Sequence, residues 1–179
     1  GLRSSSLGLG TYLGRDTPED DERTIEAAHL CLHSGVNLLD TAINYRAQRS
    51  ERALGRALAP AVLERLGLSR EQIVVCTKAG FLPHDGTFPR EGTGPATLRR
   101  VYLDSGIVPA DQLVAGCHCL HPAYLRDQLQ RSLHNLRLAA VDIFYLHNPE
   151  TQLAEVSREE FERRLRAAQC FGSKANPAS

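Results

Sequence analysis

Apolar positions recur along this chain with two periods, and the changes of period mark out its elements. Leu7-Gly8-Leu9-Gly10-Thr11-Tyr12 reads as a first strand. Thr17-Pro18-Glu19-Asp20 then supplies a cap, a proline for the first helical position and acids for the first turn. Ile25, Ala28 and Leu32 follow at helical spacing, and Gly35 is expected to end that helix. Val36 to Ala42 reads as a buried strand. Ser50-Glu51 opens a helix through Leu54 and Leu58, Pro60 interrupts it, and Leu63 to Leu66 adds a further turn. Ile73-Val74-Val75-Cys76-Thr77 has the β-branched composition of a central strand.

Residues 79–120 differ. Gly80, Pro83, Gly86, Pro89, Gly92, Gly94, Pro95 and Pro109 punctuate them, which predicts a long loop insert with a short helix near Thr97 to Leu103. Pro122 then starts a helix that places Leu125, Leu129, Leu133 and Leu136 on one face. Val141 to Leu146 reads as a fourth strand, and Ser157 caps a last helix, Arg158 to Ala168. Residues 169–179 carry little pattern and are expected to be a divergent, disordered tail.

This alternation of strand and helix is the mark of βαβ units and a parallel sheet with right-handed crossovers. Four such units make half of an eight-stranded barrel, which needs about 250 residues. They also suit a small doubly wound sheet.

Charge narrows the partners. The 21 Lys and Arg residues balance 21 Asp and Glu residues, so no positive surplus points to nucleic acid or acidic lipid. No apolar run approaches the roughly 20 residues that span a bilayer, and no signal peptide opens the sequence. Met is absent, at position 1 as elsewhere, and the chain is read as a fragment. The cysteines Cys31, Cys76, Cys117, Cys119 and Cys170 are odd in number, which predicts reduced thiols and a cytoplasmic protein rather than a disulfide framework.

Chemistry gathers where the strands end. The second strand closes on Asp40-Thr41-Ala42 with Tyr45 shortly after, the third on Lys78, the fourth on His147. Barrel enzymes build their sites at the C-terminal ends of strands. An acid, a phenol, an amine and an imidazole at those positions form a proton-transfer set.

Leu9-Gly10-Thr11, Leu39-Asp40-Thr41-Ala42-Ile43-Asn44-Tyr45, Ser50-Glu51, Cys76-Thr77-Lys78 and Tyr145-Leu146-His147-Asn148 together resemble the aldo-keto reductase family, in order and in place on the strands. The resemblance implies that residues 1–168 are the N-terminal half of a (β/α)8 TIM barrel. It further implies an oxidoreductase that uses NADPH or NADH to interconvert a carbonyl and an alcohol. Tyr45 would be the general acid, with Lys78 as the cation that favours its phenolate. Asp40 would hold Lys78, and His147 would orient the carbonyl or relay a proton. Gly10, Thr11, Tyr12 and Asp40 would meet the nicotinamide end of the cofactor, with Gly10 permitting close approach. The long stretch between Lys78 and His147 resembles the sugar-oxidising branch. The substrate class expected is a small aldehyde, ketone or sugar. A half-barrel leaves an uncovered core face and two open edge strands, so self-association through them is expected. Two other readings stand beside this one: a catalytically idle relative that binds cofactor or a protein partner, and a truncated product without function.

Other motifs have plainer readings. Cys117-His118-Cys119 with His121 lacks the spacing of a zinc knuckle, and no metal is expected there. His29 and His33 lie one helical turn apart, without the Glu of a zinc-protease motif, and read as a helix face. Gly8 and Gly10 miss the dinucleotide fingerprint, whose third glycine would fall at Leu13. The Arg99-Arg100 and Arg163-Arg164 pairs read as solvated faces. Glu51 reads most simply as a first-turn acid favoured by the helix dipole, and the resemblance also allows it a supporting role near the site.

Overall fold

Four short parallel strands carry the fold: β1 (Gly8–Gly10), β2 (Leu38–Asp40), β3 (Val74–Ala79) and β4 (Ile143–Leu146), paired in chain order. They belong to a computed structural model that describes residues 3–172, with side chains as far as Ala168. The helices are α1 (Pro18–His33), α2 (Arg49–Ala57), α3 (Pro60–Arg65), α4 (Gly94–Leu98), α5 (Pro122–Leu136) and α6 (Arg158–Gly172). Among the described residues β1 and β4 are each paired on one side only.

The strands are shorter than the runs that predict them, for local reasons. Val36 gives its N–H to Cys31 at the end of α1, so it closes the helix instead of entering the sheet. Past the C-terminal ends, Thr11 still bonds Asp40 O and Thr41 still bonds Cys76 O, both at 3.0 Å, as the chain turns away. The predicted caps hold. Thr17 accepts the N–H of Asp20 ahead of Pro18, and Gly35 takes the left-handed conformation after α1.

Register sorts the side chains into two faces. Gly10, Asp40, Cys76 and Ile143 form one rung, and Lys78 stands beside Tyr145 two residues further on. The alternate residues Leu39 and Val75 pack against α1, α2 and α5 through Ala28, Leu32, Leu54, Ala57 and Leu136. On the same helix side, Phe144 and Leu146 meet Tyr124 and Leu125 of α5 and Ala168 of α6. The opposite face is less covered: Tyr145, beside Lys78, is 47% exposed.

The segment read as a loop insert, 79–120, is largely built into the core. It holds α4, a wider π turn at Arg99–Leu103 and a 3-10 turn at Ala110–Gln112. Leu82, Leu98, Tyr102, Val108 and Cys119 are buried with the α5 cluster. The Tyr102 hydroxyl is satisfied by the carbonyl of Pro83. Its glycines and prolines therefore mark turns between packed pieces, which a count of breakers does not distinguish from an open loop. The tail also departs from expectation at its start, because α6 runs to Gly172; the rest, residues 173–179, lies outside the described residues.

Candidate active site

The four residues singled out in sequence converge at the C-terminal ends of the strands. Lys78, near the end of β3, gives all three ammonium protons to partners. The Asp40 carboxylate lies at 2.8 Å, the Thr41 carbonyl at 2.8 Å and the Tyr45 hydroxyl at 3.2 Å. Its nitrogen also stands 4.8 Å from the centroid of the Tyr45 ring. The Tyr45 ring lies edge-on between Tyr12, at 5.1 Å, and His147, at 5.6 Å. The Thr41 carbonyl is a contact that sequence reading missed, since any residue can supply it.

A strained turn sets Tyr45. Arg46, Ala47 and Gln48 follow it with φ of 50°, 53° and 71°, three left-handed residues in succession without a glycine. Each costs about 1–2 kcal/mol for an L-residue. What holds them is Arg46, 3% exposed, whose guanidinium donates to the carbonyls of Arg15 and Thr17, to Thr24 Oγ1 and to Asp21 at 2.6 Å. Arg49 shares the same carboxylate, and Ala47 O accepts from Gly86. Sequence offered no sign of this turn, because glycine is the usual signal and none is present.

His147 follows β4 and has its backbone tied on both sides, N–H to Ala79 O and C=O to the ring of His118, each at 2.8 Å. Its ring also meets Phe81 edge-on at 5.3 Å. Burial, aided by the nearby Lys78 and His118, pushes its pKa down to about 4, so the imidazole is neutral at ordinary pH. A neutral imidazole offers an N–H donor and is a poor source of protons at ordinary pH.

Glu51 lies in the first turn of α2, as expected. It is fully buried, bonded to Thr77 Oγ1 at 2.6 Å and to Asn135 Nδ2 at 2.9 Å, and burial raises its pKa. Thr77 points to the helix layer because it alternates with Lys78, so Glu51 braces β3 from behind the site. Arg164 departs from the solvated face predicted for its pair, being 7% exposed.

The residues expected to meet a cofactor present a mixed surface. Gly10 shares a rung with Asp40, and no atom lies within 4 Å of the place a Cβ would take. Tyr12 is 68% exposed beside Tyr45, and the Asp40 side chain 39%. Thr11 is buried instead, with its N–H and hydroxyl both directed to Asp40 O. An open backbone at Gly10, an exposed ring and a partly exposed carboxylate fit the flat, hydroxyl-rich nicotinamide end of a dinucleotide.

His118 and Cys119 are buried in the core, and His29 bonds the carbonyl of Ala57. Among the described residues no helix is long and apolar enough to cross a membrane.

Known proteins agree with this architecture. Residues 6–169 match the Aldo/keto reductase family. The chain is 31% identical over 153 residues to the NADH-specific methylglyoxal reductase of Escherichia coli, an alignment covering 80% of this chain and 38% of that protein. Among solved structures, PA4992 of Pseudomonas aeruginosa, a protein assigned to the aldo-keto reductases, superposes with a TM-score of 0.55 at 25% identity, over 96% of this chain and 53% of its own. The aldo-keto reductase AKR11C1 of Bacillus halodurans shares the fold with a TM-score of 0.52 at 23% identity, over 92% of this chain and 44% of its own. The chain thus spans about half the length, or less, of these relatives. Its four parallel βα units are those of a partial TIM barrel, and the chain belongs to the aldo/keto reductase family.

Proposed function

We propose that this chain carries the proton-transfer half of an NAD(P)H-dependent carbonyl reductase. The observation that carries the reading is Lys78, whose ammonium joins the Asp40 carboxylate to the Tyr45 phenol. Asp40 and the Thr41 carbonyl fix that ammonium in place. Because Lys78 donates to the phenolic oxygen, the phenol's own proton is directed elsewhere, toward a substrate oxygen. As that proton leaves, the ammonium neutralises the charge left on Tyr45. Neutral His147 holds the carbonyl by an N–H donor. Gly10, Tyr12 and Asp40 would hold the nicotinamide end, and the bound cofactor supplies the hydride.

Sequence likeness to an NADH-specific methylglyoxal reductase favours NADH as the cofactor and small reactive aldehydes as first substrates. A sugar or other small carbonyl fits the same chemistry. The open edges at β1 and β4 support association of the chain through them, which would extend the sheet. Four free cysteines, with no disulfide among the described residues, support a cytoplasmic site of action.

The test is NADH- or NADPH-linked reduction of methylglyoxal and simple aldehydes, with Tyr45→Phe as the control. Turnover lost in the control supports the reading. Turnover equal in both proteins rejects it.

A further inference from the structure

The segment after β3 returns a buried histidine to the end of β4. His118 forms antiparallel bridges with Phe81 and Val114, and its ring is fully buried. Nε2 lies 2.8 Å from the carbonyl oxygen of His147, and Nδ1 lies 2.8 Å from Nε2 of Gln152.

The neighbours fix which nitrogen carries the proton. Arg164 Nη1 can only donate, and it reaches Gln152 Oε1 at 2.7 Å. The Gln152 amide therefore turns its oxygen to Arg164 and its NH2 to His118. That NH2 also only donates, so His118 Nδ1 accepts and is unprotonated. The ring proton sits on Nε2 and points at the His147 carbonyl. Burial lowers the pKa of His118 and keeps the ring neutral, as this pattern requires. Arg164 is anchored in turn by Glu160 at 2.8 Å and by the carbonyls of Asp111 and Gln112.

The contact is close-fitting. A Cβ on Gly80 would come within 2.6 Å of both His118 Nε2 and His147 O, so only glycine admits the approach. Phe81 meets the His118 ring at 4.8 Å and the His147 ring at 5.3 Å, edge-on to both. Asn148, next after His147, is left-handed at φ 43°, so the backbone there is strained and needs a partner.

We propose that His118 is a positioning residue for His147: a buried Arg164–Gln152–His118 chain pins the His147 carbonyl and so sets the direction of its imidazole. This rests on the reading of His147 as a residue of the reductase site. It gives the segment 79–120 a role in that site beyond packing.

The first test is independent of turnover. Long-range nitrogen–proton correlation spectra of the histidine rings read the tautomer of His118 in the whole chain. A neutral ring protonated at Nε2 is expected. A ring protonated at Nδ1, or at both nitrogens at neutral pH, overturns the proposal. The second test compares His118→Phe, which keeps the ring and its Phe81 contact but has no donor, with His118→Gln, whose Nε2 takes the place of the ring N–H. The His147 ring signals are expected to move in the Phe variant and to return toward the parent in the Gln variant. Signals unmoved by His118→Phe overturn the proposal. Should that variant not fold, Gln152→Met removes the donor to Nδ1 and is expected to disturb the His118 tautomer and the His147 signals together; neither moving overturns it. Where turnover is present, His118→Phe lowers kcat by roughly 10- to 100-fold with KM nearly unchanged, the scale of a misdirected catalytic group. A chain that shows the tautomer and the shifts but reduces nothing leaves the pinning of His147 by His118 standing and rejects the reductase reading on which its catalytic meaning rests.

Discussion

The ammonium of Lys78 stands 3.2 Å from the phenolic oxygen of Tyr45 and 4.8 Å from the centroid of its ring. It is thus placed to donate to the oxygen while lying over the ring. Lys78→Met and Tyr45→Phe should each lower kcat by at least about 100-fold, the lower end of what a positioned acid contributes. Circular dichroism should show the fold retained. Steady-state kinetics on both variants checks this, and a loss confined to KM would contradict it.

Arg46 should prove structural rather than chemical. It ties the left-handed turn after Tyr45 to the start of α1 and shares Asp21 with Arg49. Arg46→Ala leaves the Asp21 carboxylate short of its buried partner and releases the turn. Asp21 keeps Arg49, so the loss falls on the carbonyls of Arg15 and Thr17 and on the released turn, at about 1–3 kcal/mol. Urea unfolding of the variant reads the loss directly, and a change within about 0.5 kcal/mol, the range of an ordinary surface substitution, would contradict this account of the turn.

Much of this was legible in sequence, and the parts that were not share a cause. The strands, the long helices and the four site residues follow from period and from position at strand ends, which are local. Thr17, Pro18 and Pro122 announce their helices by chemistry that needs no tertiary context. Arg164 was misjudged, and the burial of Arg46 and Glu51 missed, because a charged side chain is expected at the surface. Their burial depends on partners distant in the chain: Asp21 for Arg46, Asn135 for Glu51 and Gln152 for Arg164. The segment 79–120 was read as loop because glycines and prolines punctuate it, though enough apolar residues lie between them to join the core.

The two buried kinds of acid–base group should give stability opposite slopes with pH. His147 titrates at about 4 in the folded chain against an ordinary 6.5, so between those values the unfolded chain holds a proton that the folded chain does not. Stability therefore falls as pH drops from 6.5 toward 4, and His84 and His118, also lowered by burial, act in the same direction. Glu51 acts oppositely: its raised value means the folded chain keeps a proton longer, so its contribution falls as pH rises. Urea midpoints across pH should show the acid-side slope reduced in His147→Gln. A slope unchanged in that variant would mean that His147 is not held neutral.

Glu51 can be separated from its charge. It accepts from Thr77 Oγ1 at one oxygen and from Asn135 Nδ2 at the other; a glutamine keeps the oxygen facing Asn135 and turns its NH2 to the Thr77 hydroxyl, which can accept instead. Glu51→Gln should hold stability within about 0.5 kcal/mol, whereas Glu51→Leu strands both partners at about 1–3 kcal/mol. Equal damage from the two, read by urea unfolding, would contradict this account of the Glu51 contacts.

The most direct test of the central claim is titration of the chain with NADH and with NADPH, read by the change in cofactor fluorescence and repeated with Tyr12→Ala. The account predicts saturable binding of at least one cofactor, weakened in the variant because the exposed Tyr12 ring flanks Tyr45 at the open Gly10 backbone. A folded chain that binds neither cofactor would contradict it, leaving Asp40, Tyr45, Lys78 and His147 assembled without a hydride donor to serve.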